Sequence, residues 1–213
     1  MVMHMAATTV VIAVRGGSDA KSRCRAVLGK AGCAALVRAM LGDMVAVLIA
    51  SPLISKILLV TPTPELARGL PVTLIHDEPE GGLNAAFAKG AQGLSGPVLF
   101  LPADLPELDG EAVQGLLRRY KGGHVLLVPS VTDGGTGALL TDRPEDQIFA
   151  FGVNSLAAHE TAARQNGQPV SQLASDAFAH DLDRPDQLTR AAHRGGPRTR
   201  ALLAELLTER QAA

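Results

Sequence analysis

Along the first half of the chain, short apolar runs alternate with longer mixed segments. Thr8–Val14 is continuously apolar and β-branched, the pattern of a strand covered on both faces. Lys56–Val60, Val72–Ile75 and Val98–Leu101 repeat that pattern, the first of them stopped by Thr61-Pro62. Between the runs, Gly32–Leu48 is dominated by small and apolar residues and predicts a helix. Pro64–Arg68 predicts a short helix, Leu83–Gln92 a helix behind Gly81-Gly82, and Gly110–Tyr120 the helix after the fourth strand. Buried strands alternating with helices argue for parallel crossovers in a doubly wound α/β sheet.

The second half is less regular. His124–Pro129 and Ala138–Leu140 read as strands, Ser155–Asn166 and Asp186–His193 as helices, and Ser175–Ala179 is ambiguous. Gly195-Gly196-Pro197 sets off a last amphipathic helix, Arg198–Arg210. The expectation is one Rossmann-like domain over residues 1–213, with a mixed, mainly parallel sheet flanked by helices. Its core spans 8–193 and its C-terminal helix 198–210.

Composition narrows the function. The net charge is −1 and the pI near 6.6, so no basic field awaits a nucleic-acid backbone. With no Trp and one Tyr there is no aromatic platform for stacking bases. Cys24 and Cys33 lack metal-ligand spacing and read as free thiols of a cytoplasmic protein. No secretory signal is evident in Met1–Ala7. The longest apolar tract, Met44–Leu53, is too short to cross a membrane and suits either the core or a homodimer contact.

Two acidic clusters stand out, each ending in proline. Asp104 lies in Leu101–Pro106, directly behind a buried strand, where open α/β sheets place ligand groups. Asp181 and Asp183 lie in Asp181-Leu182-Asp183-Arg184-Pro185, and residues two apart on an extended segment face one side. Together they suit Mg²⁺, which takes one or two carboxylates plus phosphate oxygens. The plainer readings are an N-cap for the Gly110 helix and a solvated turn with a cap near Pro185. Asp133–Gly137 can form an anion nest around Thr136, or simply a hairpin turn. Ser155 reads as an N-cap behind Gly152, at a helix end suited to an oxyanion. Arg15, Lys21 and Arg23 can hold a triphosphate or form a solvated loop. Gly82 and Asn84 can admit a ribose or base, or open a helix. His159 reads as structural or solvent-facing.

Taken in order, several segments resemble one family: the guanylyltransferases of deazaflavin coenzyme F-420 biosynthesis, which act on 2-phospho-L-lactate, phosphoenolpyruvate or 3-phospho-D-glycerate. The carrying segments are Ala20–Arg23, Gly82–Ala86, Ala103–Pro106, Asp133–Leu140, Phe151–Ser155 and Asp181–Pro185. The resemblance implies a nucleotide-diphospho-sugar-transferase type fold, GTP as co-substrate and Mg²⁺ on Asp104, Asp181 and Asp183. It implies a small phosphorylated carboxylic acid held at Thr136, Gly152 and Ser155. On this reading Lys21, Arg23 and Asp104 serve catalysis, and Arg15, Lys21, Gly82 and Asn84 the nucleotide. The chain departs from the family in having Arg15 where Lys is usual, a more polar Gly16–Asp19, and Gly137 where Asn is frequent. The alternatives are another nucleotidyltransferase of the same fold, acting on molybdopterin or a sugar phosphate, and a non-catalytic nucleotide-binding domain.

Overall fold

The computed structural model describes residues 7–14 and 21–211. Seven strands form one sheet: β1 (Thr8–Ala13), β2 (Ile54–Thr61), β3 (Thr73–His76), β4 (Val98–Pro102), β5 (Val125–Pro129), β6 (Thr136–Thr141) and β7 (Val170–Gln172). Their spatial order is β3-β2-β1-β4-β6-β5-β7. Every pairing is parallel except the two made by β6, which runs against β4 and β5. The mixed, mainly parallel sheet expected from the alternating runs is therefore present.

Alternation within the central strands sends side chains to both faces. Val10 and Ile12 pack with Leu41, Met44 and Leu48 of α1 (Arg25–Ile49), and with α3 (Gly110–Arg119) through Val113 and Leu117. Val11 and Ala13 pack with Phe87 and Ala91 of α2 (Gly82–Ala91). Four of the five phenylalanines, Phe87, Phe100, Phe149 and Phe151, form one cluster on that second face, with ring centroids 4.5–5.8 Å apart. The remaining helices are α4 (Ser155–Gln165), the single turn α5 (Asp176–Ala179), α6 (Leu188–Arg194) and α7 (Pro197–Gln211).

Several boundaries differ from the sequence expectation. Helix α1 begins at Arg25 instead of Gly32, because a first turn precedes Gly29, whose left-handed backbone (φ 69°) breaks the helix. By length and apolarity the span Ser22–Ile49 could cross a bilayer. Most of its apolar residues are instead packed, with Leu36, Met40, Leu41 and Leu48 fully buried. Strand β7 was not expected: Val-Ser-Gln carries no apolar run and owes its conformation to pairing with β5.

Helix α7 is integral to the core. Leu203 is fully buried in a cluster with Leu36, Met40, Cys24, Cys33 and Leu182. Its N-terminus docks on Asp43 of α1, which accepts from the Arg198 and Thr199 backbone N–H groups at 3.0 and 2.9 Å and from the Thr199 hydroxyl at 2.8 Å. A remote carboxylate thus caps the helix and offsets its dipole. Asp43→Ala should cost about 2 kcal/mol, the upper range for a lost cap. In a domain of this size that lowers the Tm by roughly 4–8 °C. A Tm within a degree of wild type in calorimetry would show that the cap does not anchor α7.

Candidate active site

The chain runs β1→β2→β3 to one side, then returns to lay β4 on the other side of β1. The carboxyl ends of β1 and β4 flank this reversal, the crevice in which open α/β sheets receive ligands. Asp104 lies two residues past β4, and Lys21 lies on the connection from β1 to α1. They meet there: Lys21 Nζ is 2.8 Å from Asp104 Oδ2 and 2.8 Å from Asp183 Oδ1. The late acidic segment is tied in by its backbone, Leu182 N–H donating to the Asp104 carbonyl at 3.0 Å. Burial of the Leu182 side chain in the α1–α6–α7 cluster fixes the two flanking aspartates at the rim.

The charges at this rim are strongly coupled. Burial of the Lys21 ammonium pulls its pKa down, but the Asp104 and Asp183 carboxylates outweigh it, and the net shift is upward. Burial pushes Asp183 up, while the Lys21 charge and hydrogen bond, with help from Arg23, bring it below the ordinary carboxylate value. Asp181 is raised, first by burial and then by repulsion from Asp104 and Asp183. The Thr132 hydroxyl, donating to Oδ1 at 2.8 Å, opposes that rise.

Of the sequence-predicted residues, Lys21, Asp104, Asp181 and Asp183 therefore converge. Arg23 is solvent-exposed and close enough to Asp183 for its charge to be felt. Arg15 lies outside the described residues. The plainer reading of Asp104 as the cap of the Gly110 helix does not hold, since the N-cap of α3 is Asp109, accepting from Ala112 N–H at 2.8 Å.

Among the described residues, no three acidic, His or Cys side chains are gathered closely enough to chelate an ion unaided. The donor set nevertheless fits Mg²⁺ bound together with phosphates. Three hard carboxylates share one rim against one buried ammonium, and repulsion from Asp104 and Asp183 adds to burial in raising the proton affinity of Asp181.

The second half of the site lies on β6 and α4. The Asp133–Gly137 segment is the end of the β5–β6 hairpin, closed by Ser130 N–H on the Gly135 carbonyl at 2.9 Å. It rests on the start of α4: Asn154 N–H donates to Asp133 and Leu156 N–H to Gly134. Ser155 is not the N-cap expected from sequence. That position is taken by Asn154, in the left-handed region (φ 57°), with no side-chain capping bond. Ser155 is the first helical residue, and its hydroxyl is 3.1 Å from Thr136 Oγ1. Gly152, at φ 136°, has a backbone that other residues rarely adopt.

His159 completes this half and was not singled out for function in the sequence. Its Nδ1 is 2.9 Å from Thr136 Oγ1, and its Nε2 accepts from Ala150 N–H at 2.9 Å. The usable signal was spacing, because Ser155 and His159 are four apart and share a helix face. Burial lowers its pKa to about 4. Asn84, predicted at the nucleotide, grips the Phe151 backbone: Phe151 N–H donates to Oδ1 at 2.7 Å and Nδ2 donates to the Phe151 carbonyl at 3.2 Å. Gly82 opens α2 with φ 72°. A separate open groove of about 410 Å³, between α3 and residues 173–177, gathers none of these groups.

A doubly wound sheet with charged groups at its switch point and small-residue donors alongside suits a nucleotidyltransferase-type enzyme. Known proteins agree. A family described as "Guanylyl transferase CofC like" matches residues 8–208. The chain is 35% identical over 208 residues to the 3-phospho-D-glycerate guanylyltransferase of Phenylobacterium zucineum, covering 92% of this chain and 95% of that protein. It is 36% identical over 194 residues to the phosphoenolpyruvate guanylyltransferase of Rubrobacter xylanophilus, covering 87% and 94%. A solved structure from Desulfovibrio desulfuricans G20, assigned to the nucleotide-diphospho-sugar transferases, superposes with a TM-score of 0.75 at 18% identity, covering 96% of this chain and 98% of that one. This chain belongs to the CofC-like guanylyl transferase family.

Proposed function

We propose that this enzyme transfers GMP from GTP to the phosphate of a three-carbon phosphoacid, with release of pyrophosphate, in the biosynthesis of coenzyme F-420. The acid is phosphoenolpyruvate, 2-phospho-L-lactate or 3-phospho-D-glycerate. The observation that carries this reading is the convergence of Lys21 on Asp104 and Asp183 at the switch point. The relatives' names supply the nucleotide and the acid class, and the two buried free thiols accord with a cytoplasmic setting.

In the reaction an oxygen of the acid's phosphate bonds to the α-phosphorus of GTP as the bond to the β-phosphate bridging oxygen breaks. A phosphate monoester has a second pKa of about 6 and is largely dianionic at neutral pH. It needs no general base, and the residues named here supply none: His159 is buried and held as a structural ring. The protein's task is to bring two polyanions together. Lys21 has three N–H donors, two of them directed at Asp104 and Asp183. The third is available to a phosphate oxygen of GTP, and Arg23 adds charge from the exposed side. Thr136, Ser155 and the Gly152 backbone receive the acid. Asp104 and Asp183, with Asp181, would hold Mg²⁺, which supplies charge neutralisation across the phosphates.

The test is GTP with each acid in parallel, followed by pyrophosphate release and product mass. One acid should give a product of its own mass plus GMP less water. No pyrophosphate with any of the three overturns the reading. Turnover with another nucleotide triphosphate and a sugar phosphate would move the chain to a different acceptor class.

A further inference from the structure

We infer that His159 is a positioning residue for the acid: by presenting Nδ1–H to Thr136, it leaves one proton of the Thr136–Ser155 hydroxyl pair for an oxyanion of the bound substrate. The inference rests on the function proposed above and adds a residue to its acid subsite.

The argument is a count of protons. Ala150 N–H points at His159 Nε2 from 2.9 Å, so that nitrogen must offer a lone pair. A neutral imidazole accepting at Nε2 carries its hydrogen on Nδ1. Nδ1 is 2.9 Å from Thr136 Oγ1 and therefore donates to it. One further hydrogen bond, at 3.1 Å, joins the Thr136 and Ser155 hydroxyls and uses one of their two protons. One hydroxyl proton remains, with no acceptor among the described residues. In the opposite tautomer Nδ1 would accept from Thr136, Ser155 would donate to Thr136, and no proton would remain for a ligand.

The surroundings keep the ring in this state. His159, Thr136 and Ser155 are all nearly inaccessible, at 2%, 5% and 1% exposure. Burial disfavours the imidazolium, which would also set an Nε2 hydrogen against Ala150 N–H. The peptide that orients the ring is itself anchored, because Asn84 holds both backbone groups of Phe151, the next residue. The Phe151 ring packs against the imidazole at 4.8 Å. The same short strap leads into Gly152, so one histidine orients the side-chain donors and steadies the backbone donor.

Two measurements test this. The first is a long-range ¹H–¹⁵N correlation spectrum of ¹⁵N-histidine-labelled protein at pH 7, with His159 assigned by its absence from His159→Asn. The expected signature is a neutral ring protonated on Nδ1; an Nε2–H ring or an imidazolium overturns the inference. The second compares KM for the acid and for GTP. His159→Leu keeps apolar bulk without a donor and should raise KM for the acid about ten-fold, the value of one buried hydrogen bond, with KM for GTP unchanged. His159→Asn restores an amide donor toward Thr136 and should recover most of that loss. Equal rises in both KM values, or an Asn variant no better than Leu, overturn the inference. If the Leu variant does not fold, the Asn variant and the tautomer decide. If wild type makes no GMP–acid product, the proposed function falls, and the tautomer alone decides whether the proton is free.

Discussion

Asp104→Asn is expected to cut GTP-dependent pyrophosphate release by roughly 10²–10³-fold, the scale of losing one preorganised electrostatic group in an active site. The carboxamide has nearly the same shape, so packing beneath β4 is retained and only the charge is lost. Lys21 keeps Asp183 at 2.8 Å, and the fold should therefore survive. With the carboxylate 25% exposed, the stability change should stay near 1 kcal/mol. Asp186→Asn is the control. That carboxylate is 65% exposed and pairs with Arg184. Near-normal turnover by Asp104→Asn would remove Asp104 from catalysis, whatever its contacts.

The second large effect is expected at Gly137. The structure gives a physical reason why this position cannot carry a side chain. A Cβ built on Gly137 would fall inside the Phe178 carbonyl oxygen and press on the Phe178 carbonyl carbon. Backbone cannot turn aside as the tip of a long side chain can. Ala177, Phe178 and Ala179 are buried, and the chain runs from them directly to Asp181 and Asp183. Gly137→Asn should therefore cost about 3 kcal/mol or more, beyond ordinary overpacking. It should also lower turnover by pushing the acidic segment off Lys21. Urea denaturation and the pyrophosphate assay measure the two effects together. A variant with wild-type stability would mean that the 176–183 segment can shift without cost.

These two residues show what could be read along the chain. Asp104 was legible because a carboxylate behind a four-residue apolar strand has few structural reasons to be there. Its meeting with Asp183 was an inference from residue type, and the sheet order supplied the geometry. The partner on Lys21 was not legible: the sequence offered a cation for phosphates, and folding gave that cation two carboxylates first. Ser155 was mistaken for a cap because serine before a helix usually is one. Tertiary contact with Thr136 moved it one position into the helix. Asn84 and Phe151 are 67 residues apart, and nothing local announces a side chain gripping a distant backbone. Strand β7 failed for a similar reason, its conformation being set by its neighbour.

The bond from Lys21 to Asp183 spans 162 residues of chain. During synthesis the ammonium leaves the ribosome long before its second counter-ion, which is followed in turn by the helices that bury Leu182. Strands β1 to β4 and their covering helices are thus all synthesised well before the Lys21–Asp183 contact can form. A product terminated before Asp183 would therefore present Lys21 with one carboxylate where the folded protein gives it two.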